Sequence, residues 1–188
     1  ELVENFIAPA AAQSAMSLLA SDTPWRDDTI TLFGKTHLVP RRTAWYGDDN
    51  ATYTYSRIHM TPLPWTPFLD ALRTEVAVVA QHPFNAVLLN LYRDGRDSNG
   101  WHADNEPELG PDPVIASISL GVTRVMQFKR RDQGERFELD LPSGSLLIMR
   151  GDSQRDWLHC VPKRRGVTEP RINLTFRFIA SYHGVSGD

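Results

Sequence analysis

The sequence contains a single cysteine, Cys160, and this scarcity excludes both an internal disulfide framework and a CxxC zinc site. No apolar run approaches the ~18 residues that a membrane-spanning helix needs, so we expect no association with a membrane. The start of the sequence also lacks the basic and apolar segments of a secretion signal. Together these absences predict a cytoplasmic protein, or a nuclear one if the source is eukaryotic.

A strong net charge is lacking too, since the formal net charge is -3 and the sequence pI is about 6.1. A protein that coats nucleic acid is usually strongly basic. The basic residues nevertheless gather in short runs at positions 41–42, 129–131 and 163–165. Such runs either form one positive face on a mildly acidic body or only keep the surface soluble. The sequence leaves both interpretations open.

The periodicity of apolar residues predicts one α+β or mainly β domain, for which 188 residues are sufficient. Two helices are predicted, at 9–20 and 66–81, each with proline in its first turn. The second has an apolar stripe formed by Phe68, Leu69, Leu72, Val76 and Val79. Short β-rich runs follow at 86–92, 114–120, 124–128, 136–141, 145–149, 157–161 and 171–179. Such strands, separated by Gly, Pro and Asp, are typical of a sandwich, barrel or jelly roll.

Two of the predicted strands are polar on one face. In the last strand, alternation places Ile172, Leu174, Phe176 and Phe178 on one side and Arg171, Asn173, Thr175 and Arg177 on the other. The strand at 86–92 ends in the same way, with Asn90 and Tyr92 opposite its apolar side chains. The apolar faces must pack against the body of the protein. The polar faces therefore either meet solvent or line a shared cavity, and two such strands favour the cavity.

His102 and Asp104 are separated by one residue, so in an extended segment both side chains point the same way, roughly 7 Å apart along the chain. Both can reach one metal ion. Such a pair also occurs by chance at polar strand ends, and a third ligand is needed to favour a metal site. Of the six histidines, His159 is the best placed, because it lies on the predicted strand at 157–161. Two histidines and one carboxylate form the facial triad of non-haem Fe(II) oxygenases.

The polar face of the last strand offers what such an oxygenase needs for a dicarboxylate co-substrate. The far carboxylate of 2-oxoglutarate is best held by a bidentate arginine. Arg171 can supply it, with Asn173 and Arg177 on the same face and Tyr92 as a neutral donor from another strand.

Several motifs resemble the AlkB family of Fe(II)/2-oxoglutarate dioxygenases, which repair alkylated nucleic-acid bases. They are NLYRDG (90–95), WHADNE (101–106), ASISLG (116–121), PSGSLLIM (142–149), WLHCVP (157–162) and PRINLTFR (170–177). The segments LFGKTHLVPRRTAWYGD and TYTYS are most similar to the branch that contains the animal duplex-DNA repair demethylases. The resemblance extends from about residue 32 to residue 179.

This resemblance implies a double-stranded β-helix, or jelly roll, with N-terminal helices and a nucleotide-recognition lid. Residues 1–188 would form one dioxygenase domain, with the helices and lid in 1–85 and the catalytic core in 86–180. The implied activity is oxidative demethylation of 1-methyladenine and 3-methylcytosine in DNA. It would use Fe(II), O2 and 2-oxoglutarate and release succinate, CO2 and formaldehyde. The expected partner is alkylated DNA, and we expect a monomer.

The resemblance also assigns residues to roles. His102, Asp104 and His159 match the iron ligands. The positions that match the 2-oxoglutarate site are Asn90, Tyr92, Arg171, Asn173 and Arg177. The positions that match the substrate site are Phe33, Gly34, Arg41, Tyr53, Tyr55, Asn105 and Glu106. Two of these depart from the relatives, which have Asp at position 105 and Phe at position 55, and both departures bear on base preference.

Two alternatives to DNA repair remain open at this point. One is a demethylase or hydroxylase of RNA bases, for example in tRNA, which the negative net charge and Asn105 leave open. The other is a nucleic-acid binder or sensor with an inactive iron site. The complete triad and the intact arginine strand argue against this second alternative.

Overall fold

The computed structural model describes residues 1–180 except 33, 50, 52, 56, 57 and 133, and it describes only the backbone of 31–32, 53–55 and 58–60. The helices are α1 (Pro9–Asp22) and α2 (Pro67–Ala80). The strands are β1 (Leu2–Val3), β2 (Thr29–Leu32), β3 (Lys35–Leu38), β4 (Arg42–Gly47), β5 (Tyr53–Tyr55), β6 (Ile58–Met60), β7 (Ala86–Tyr92), β8 (Asn99–His102), β9 (Ile115–Gly121), β10 (Arg124–Arg130), β11 (Arg136–Leu141), β12 (Leu146–Met149), β13 (Trp157–Val161) and β14 (Arg171–Arg177). No helix among the described residues is long and apolar enough to cross a membrane.

Two antiparallel sheets form the body of the protein. The larger has six strands in the order β1-β12-β9-β14-β7-β4, and the smaller has four in the order β11-β10-β13-β8, counted over the described residues. A buried apolar cluster joins them, with Leu88 and Met149 from the larger sheet and Met126 and Phe128 from the smaller. Neighbours that are distant in sequence, such as β14 between β7 and β9, give the jelly-roll topology that the sequence predicts.

The two helices lie where the sequence places them, and they cover the outer face of the larger sheet. Thr66 caps α2, because its Oγ1 accepts a hydrogen bond from the Leu69 amide at 3.2 Å. Leu69, Leu72 and Val76 are buried as predicted, but Val79 is 38% exposed. The fourth buried position of α2 is instead Ala80, so the prediction for Val79 is wrong.

The strands predicted from residue 86 onward are confirmed with small shifts at their ends. None of the strands before residue 86 was predicted as a strand run, and β8 was missed among the later ones. Its sequence, Asn-Gly-Trp-His, has no apolar alternation, so its strand character depends on pairing with β13. The last strand, β14, stops at Arg177, and Phe178 directly after it is 39% exposed. The expectation that Phe178 belongs to the buried face is therefore wrong.

The N-terminal region contributes to the larger sheet as well as to two separate hairpins. The edge strands β1 and β4 both lie before residue 86, in the part of the chain predicted to form the helices and lid. The larger sheet therefore contains strands from both predicted parts, 1–85 and 86–180. The hairpins pair β2 with β3 and β5 with β6. The division into a lid and a core remains a prediction about function.

Gly95 lies where two loops meet beside the larger sheet. Its amide donates to Val167 O at 2.9 Å, and its carbonyl accepts from the Arg164 amide at 2.8 Å. A Cβ on Gly95 would lie 1.9 Å from Arg164 O, which is far inside van der Waals contact.

Gly95→Ala should therefore lower the free energy of unfolding by about 1–3 kcal/mol, the usual cost of forced overpacking. Urea unfolding measures this cost. Gly100→Ala is the matched control, because nothing lies within 4 Å of a Cβ at that position. Equal stabilities of the two variants would contradict the contact.

Candidate active site

The register of the smaller sheet brings the two candidate histidine ligands together. His102 on β8 pairs directly with His159 on β13, and their ring centroids are 4.2 Å apart. Asp104 follows β8 by two residues. One ligand atom from each of the three side chains lies within 4.8 Å of the others. The structure thus assembles the three predicted ligands from two strands that are distant in sequence.

The His102 ring is oriented by the backbone of its own strand. Its Nδ1 lies 2.8 Å from Gly100 O, which can only accept, so Nδ1 carries the proton. Nε2 then has the lone pair and lies 3.3 Å from Asn99 Nδ2. A histidine whose other nitrogen donates to a carbonyl is the usual form of a metal ligand.

Asp104 is 1% exposed and is held from two sides. Its Oδ1 accepts a hydrogen bond from Arg177 Nη2 at 2.8 Å, and its amide donates to Gln154 Oε1 at 2.9 Å. Burial alone would raise the pKa of the carboxyl, but the positive charge of Arg177 and the neighbouring imidazoles outweigh it and lower the pKa to about 2. Asp104 is therefore an ionised carboxylate at neutral pH.

His159 is 2% exposed, and its Nδ1 has no hydrogen-bond partner among the described residues. Burial, together with the nearby His102, lowers the pKa of the imidazole to about 3. The ring is therefore neutral at neutral pH, which is the form that binds metal. An orphaned nitrogen, an ionised carboxylate and a second imidazole form a donor set that fits Fe(II).

The predicted dicarboxylate site lies on the larger sheet and faces these ligands. On β14, Arg171 pairs with Tyr92 and Asn173 pairs with Asn90. These residues, the three candidate ligands and Arg177 line one cavity between the sheets. The prediction that β7 and β14 share a polar cavity is confirmed.

Arg171 is 1% exposed and has only part of its hydrogen-bonding capacity used. Its Nη2 donates to Ser119 Oγ at 2.8 Å, but Nε and Nη1 form no hydrogen bond with the described part of the chain. Burial lowers the pKa of this guanidinium to about 10, and the neighbouring Tyr92 opposes that shift. A buried arginine with unused donors fits a carboxylate that the protein itself does not supply.

The two asparagines belong to one hydrogen-bond network. Arg41 Nε donates to Asn90 Oδ1 at 2.8 Å, and Asn90 Nδ2 lies 3.5 Å from Asn173 Oδ1. Asn173 Nδ2 donates to Ser117 Oγ at 2.7 Å. Sequence reasoning missed Ser117, although it lies within the ASISLG motif.

Ser119 and Gln154 were missed as well. Ser119 belongs to the ASISLG motif and alternates with apolar residues, whereas Gln154 belongs to no periodic or charged pattern. Ser119 faces β14 through strand pairing that is not visible in the sequence. Gln154 is fully buried in the loop after β12, and this burial is not visible in the sequence.

The predicted substrate residues are not gathered in the same way. Asn105 and Gly34 are exposed and Glu106 is half-buried, whereas Arg41 is buried against Asn90. Phe33 lies outside the described residues. Tyr53 and Tyr55 lie on β5, where only the backbone is described. Their substrate roles remain predictions.

A jelly roll whose two sheets enclose two histidines, an aspartate and a buried arginine is the architecture of non-haem iron oxygenases that use a 2-oxo dicarboxylate. The profile described as the 2OG-Fe(II) oxygenase superfamily matches residues 1–177, and the chain belongs to this family. Fe(II) and 2-oxoglutarate are the cofactor and co-substrate of the family, in agreement with the donor set.

The curated relatives are AlkB homologues. The chain is 44% identical over 188 residues to alpha-ketoglutarate-dependent dioxygenase alkB homolog 3 of Bos taurus, covering 95% of this chain and 65% of that protein. It is 44% identical over 158 residues to DNA oxidative demethylase ALKBH2 of Mus musculus, covering 80% of this chain and 66% of that protein. The chain therefore spans a little under two thirds of the first relative's length.

A solved structure supports the fold. The structure titled "The structure of OsALKBH1" superposes with a TM-score of 0.66 at 18% identity, covering 94% of this chain and 96% of that one. At this identity the likeness concerns the jelly roll alone.

His102→Ala should weaken binding of Fe(II) by more than about 100-fold, because losing a ligand costs at least as much as losing its hydrogen-bond support. Anaerobic titration of the metal-free protein with Fe(II) measures this change. His82→Ala is the control, since His82 packs against Phe84 and Phe178 away from the cavity. Unchanged affinity in the His102 variant would contradict its assignment as a ligand.

The lowered pKa of His159 predicts a pH-dependent stability of the metal-free protein. Between the unfolded pKa of about 6.5 and the folded pKa of about 3, only the unfolded chain is protonated at this position, so stability falls as the pH is lowered. His159→Gln should reduce the loss between about pH 7.5 and about pH 5 by about 2 kcal/mol. Urea unfolding at both pH values tests this, and equal losses in the variant and the parent would contradict it.

Proposed function

We propose that the protein is an oxidative demethylase of N-alkylated bases in DNA, acting on lesions such as 1-methyladenine and 3-methylcytosine. The observation that carries the proposal is the cluster of His102, Asp104 and His159 facing the unused donors of Arg171 across one cavity. The similarity to a DNA oxidative demethylase over 80% of the chain supports the choice of substrate.

The site residues divide into two binding functions. His102, Asp104 and His159 hold the iron, and Arg177 keeps Asp104 ionised and oriented. Arg171 grips the far carboxylate of 2-oxoglutarate through Nε and Nη1, which form no hydrogen bond with the residues that the structure describes, and Tyr92 lies beside it. Asn90 and Asn173, whose side chains lie in contact with each other, line the same cavity as the candidate iron ligands and Arg171.

When iron, O2 and 2-oxoglutarate are bound, they supply the oxidation of the methyl C–H bond, which yields succinate, CO2 and, after loss of the hydroxymethyl group, formaldehyde. The protein positions the groups and excludes water from the cavity. Asp104 stays unprotonated because Arg177 stabilises its charge, and His159 stays neutral because it is buried.

The substrate must reach this cavity as a single base. A methyl group on the Watson–Crick edge is inaccessible in a paired stack, so the enzyme flips the base or acts on single strands. Methylation at these ring nitrogens makes the base cationic, and the half-buried Glu106, two residues from Asp104, favours a positive charge there. The hairpins β2–β3 and β5–β6, with Phe33, Gly34, Tyr53 and Tyr55, form the predicted lid over the flipped base.

Surface charge supports contact with a nucleic-acid backbone. The basic run at 163–165 is exposed and lines a surface depression together with Arg96. The run at 41–42 does not contribute in the same way, because Arg41 is buried. A local positive face of this kind can bind phosphates on a protein of mildly negative net charge.

RNA is the second candidate substrate, and the exposed Asn105 leaves it open. The demethylases that the sequence resembles have a negative charge at this position, so the chain differs from them beside the substrate-facing Glu106. Under either proposal we expect a monomer located in the cytoplasm, or in the nucleus of a eukaryote.

Anaerobic loading with Fe(II), followed by addition of O2 and 2-oxoglutarate, should remove the methyl group from DNA oligonucleotides that carry 1-methyladenine or 3-methylcytosine. Mass spectrometry of the bases and release of formaldehyde measure the reaction. Matched RNA oligonucleotides distinguish the two candidates, and Asn105→Asp tests whether this position sets the preference. Absence of methyl loss from every substrate would contradict the proposal.

A further inference from the structure

A second buried arginine lies next to the proposed 2-oxoglutarate site, and none of the roles above includes it. Arg124, at the start of β10, is 1% exposed, as is Arg171. The two guanidinium carbons lie 5.6 Å and 5.2 Å, respectively, from the centroid of the same ring, that of Tyr92. Arg124 therefore belongs to the surroundings of the residues proposed to hold the far carboxylate.

The hydrogen bonds of Arg124 connect the two loops that border this end of the cavity. Its Nη2 donates to Asp97 O at 2.9 Å and to Pro162 O at 2.7 Å, and its Nη1 lies 3.2 Å from Asp94 O. The first loop follows Tyr92 on β7, and the second leads from β13 towards Arg171. One side chain thus holds together the two loops that border the proposed carboxylate site.

Charge distinguishes Arg124 from an ordinary structural arginine. Its hydrogen bonds are to neutral carbonyls, and neither Arg124 nor Arg171 forms a salt bridge with a carboxylate of the described residues. Burial lowers the pKa of both guanidinium groups, and the carboxylates of Asp97 and Asp94 oppose this shift at Arg124. Those two carboxylates already form salt bridges with Arg93 and Arg96, so two buried positive charges beside one tyrosine remain costly unless a further anion accompanies them. A ligand with a carboxylate at this end would supply that anion.

We propose that Arg124 is a positioning residue for 2-oxoglutarate: it orients Tyr92 and adds a second positive charge that selects a dicarboxylate over a 2-oxo acid with one carboxylate. The inference rests on the proposed binding of the far carboxylate by Arg171, and it is independent of the nucleic-acid substrate. Arg171 makes the contact with the carboxylate. Arg124 acts through the ring of Tyr92 and through the electrostatic field of its own guanidinium group.

The test compares two ligands that differ only at the far end. 2-Oxopentanoate has the same carbon chain as 2-oxoglutarate but lacks the second carboxylate. Calorimetry with Mn(II) in place of iron gives the dissociation constant of each ligand without turnover. In Arg124→Met, the affinity for 2-oxoglutarate should fall on the order of tenfold, as expected for loss of one nearby buried charge, while that for 2-oxopentanoate stays within about twofold.

Arg124→Lys separates the charge from the loop contacts. It keeps the positive charge but cannot span three carbonyl groups, so we expect a lower Tm with the preference for 2-oxoglutarate largely retained. This variant also serves if Arg124→Met does not fold. Arg150→Met is the matched control, because Arg150 also donates to a backbone carbonyl, that of Ala80, but lies away from Tyr92.

If the role of Arg124 were purely structural, Arg124→Met would weaken the binding of both ligands equally or the binding of neither. Either result would overturn the proposal. Loss of the preference in Arg124→Lys would overturn the role of charge. Failure of the parent protein to bind 2-oxoglutarate would contradict the co-substrate assignment itself, and the role of Arg124 with it. Binding by the parent without a change of preference in the variants would contradict the role of Arg124 alone.

Discussion

The buried ion pair between Asp104 and Arg177 links the two halves of the site. The carboxylate belongs to the segment after β8 in the smaller sheet, and the guanidinium belongs to the end of β14 in the larger sheet; the two lie 2.8 Å apart. Both side chains are almost completely buried. Removing one partner of such a pair typically costs about 3–5 kcal/mol, because the other is left as an uncompensated charge. The pair therefore fixes the distance between the candidate metal ligands and β14.

This constraint explains why a polar cavity persists beside the apolar cluster that joins the two sheets. Leu88, Met126 and Met149 belong to that cluster and also line the cavity, while Ile118 and Leu174 belong to the separate core under the helices. Within the cavity, two polar side chains of β14 are held in part by the neighbouring strand β9. Asn173 bonds to Ser117 and Arg171 to Ser119, while two nitrogens of Arg171 remain available. These two donors therefore belong to a residue that lines the cavity, where an external carboxylate can use them.

The sequence predicted the strands well where alternation is strong. In β14, Ile172, Leu174 and Phe176 alternate with polar residues, and both the strand and its two faces are confirmed. Prediction failed where local preference is weak, as in β8, whose strand character comes from pairing with β13. It also failed at Val79 and Phe178, because periodicity gives the direction of a side chain but not the extent of the neighbouring element that would cover it.

By itself, the sequence determined the chemical types at the site: the His-x-Asp pair, a distant histidine and an Arg-x-Asn-x-Thr-x-Arg strand, each required by the chemistry it serves. It also determined which side chains share a face, because alternation in a strand follows from backbone geometry. Only the tertiary structure decided how these pieces meet. The pairing of His102 with His159, the contact of Arg177 with Asp104 and the support from Ser119, Gln154 and Arg124 all depend on strand register and loop packing. Such contacts join residues tens of positions apart, and no local pattern encodes that distance.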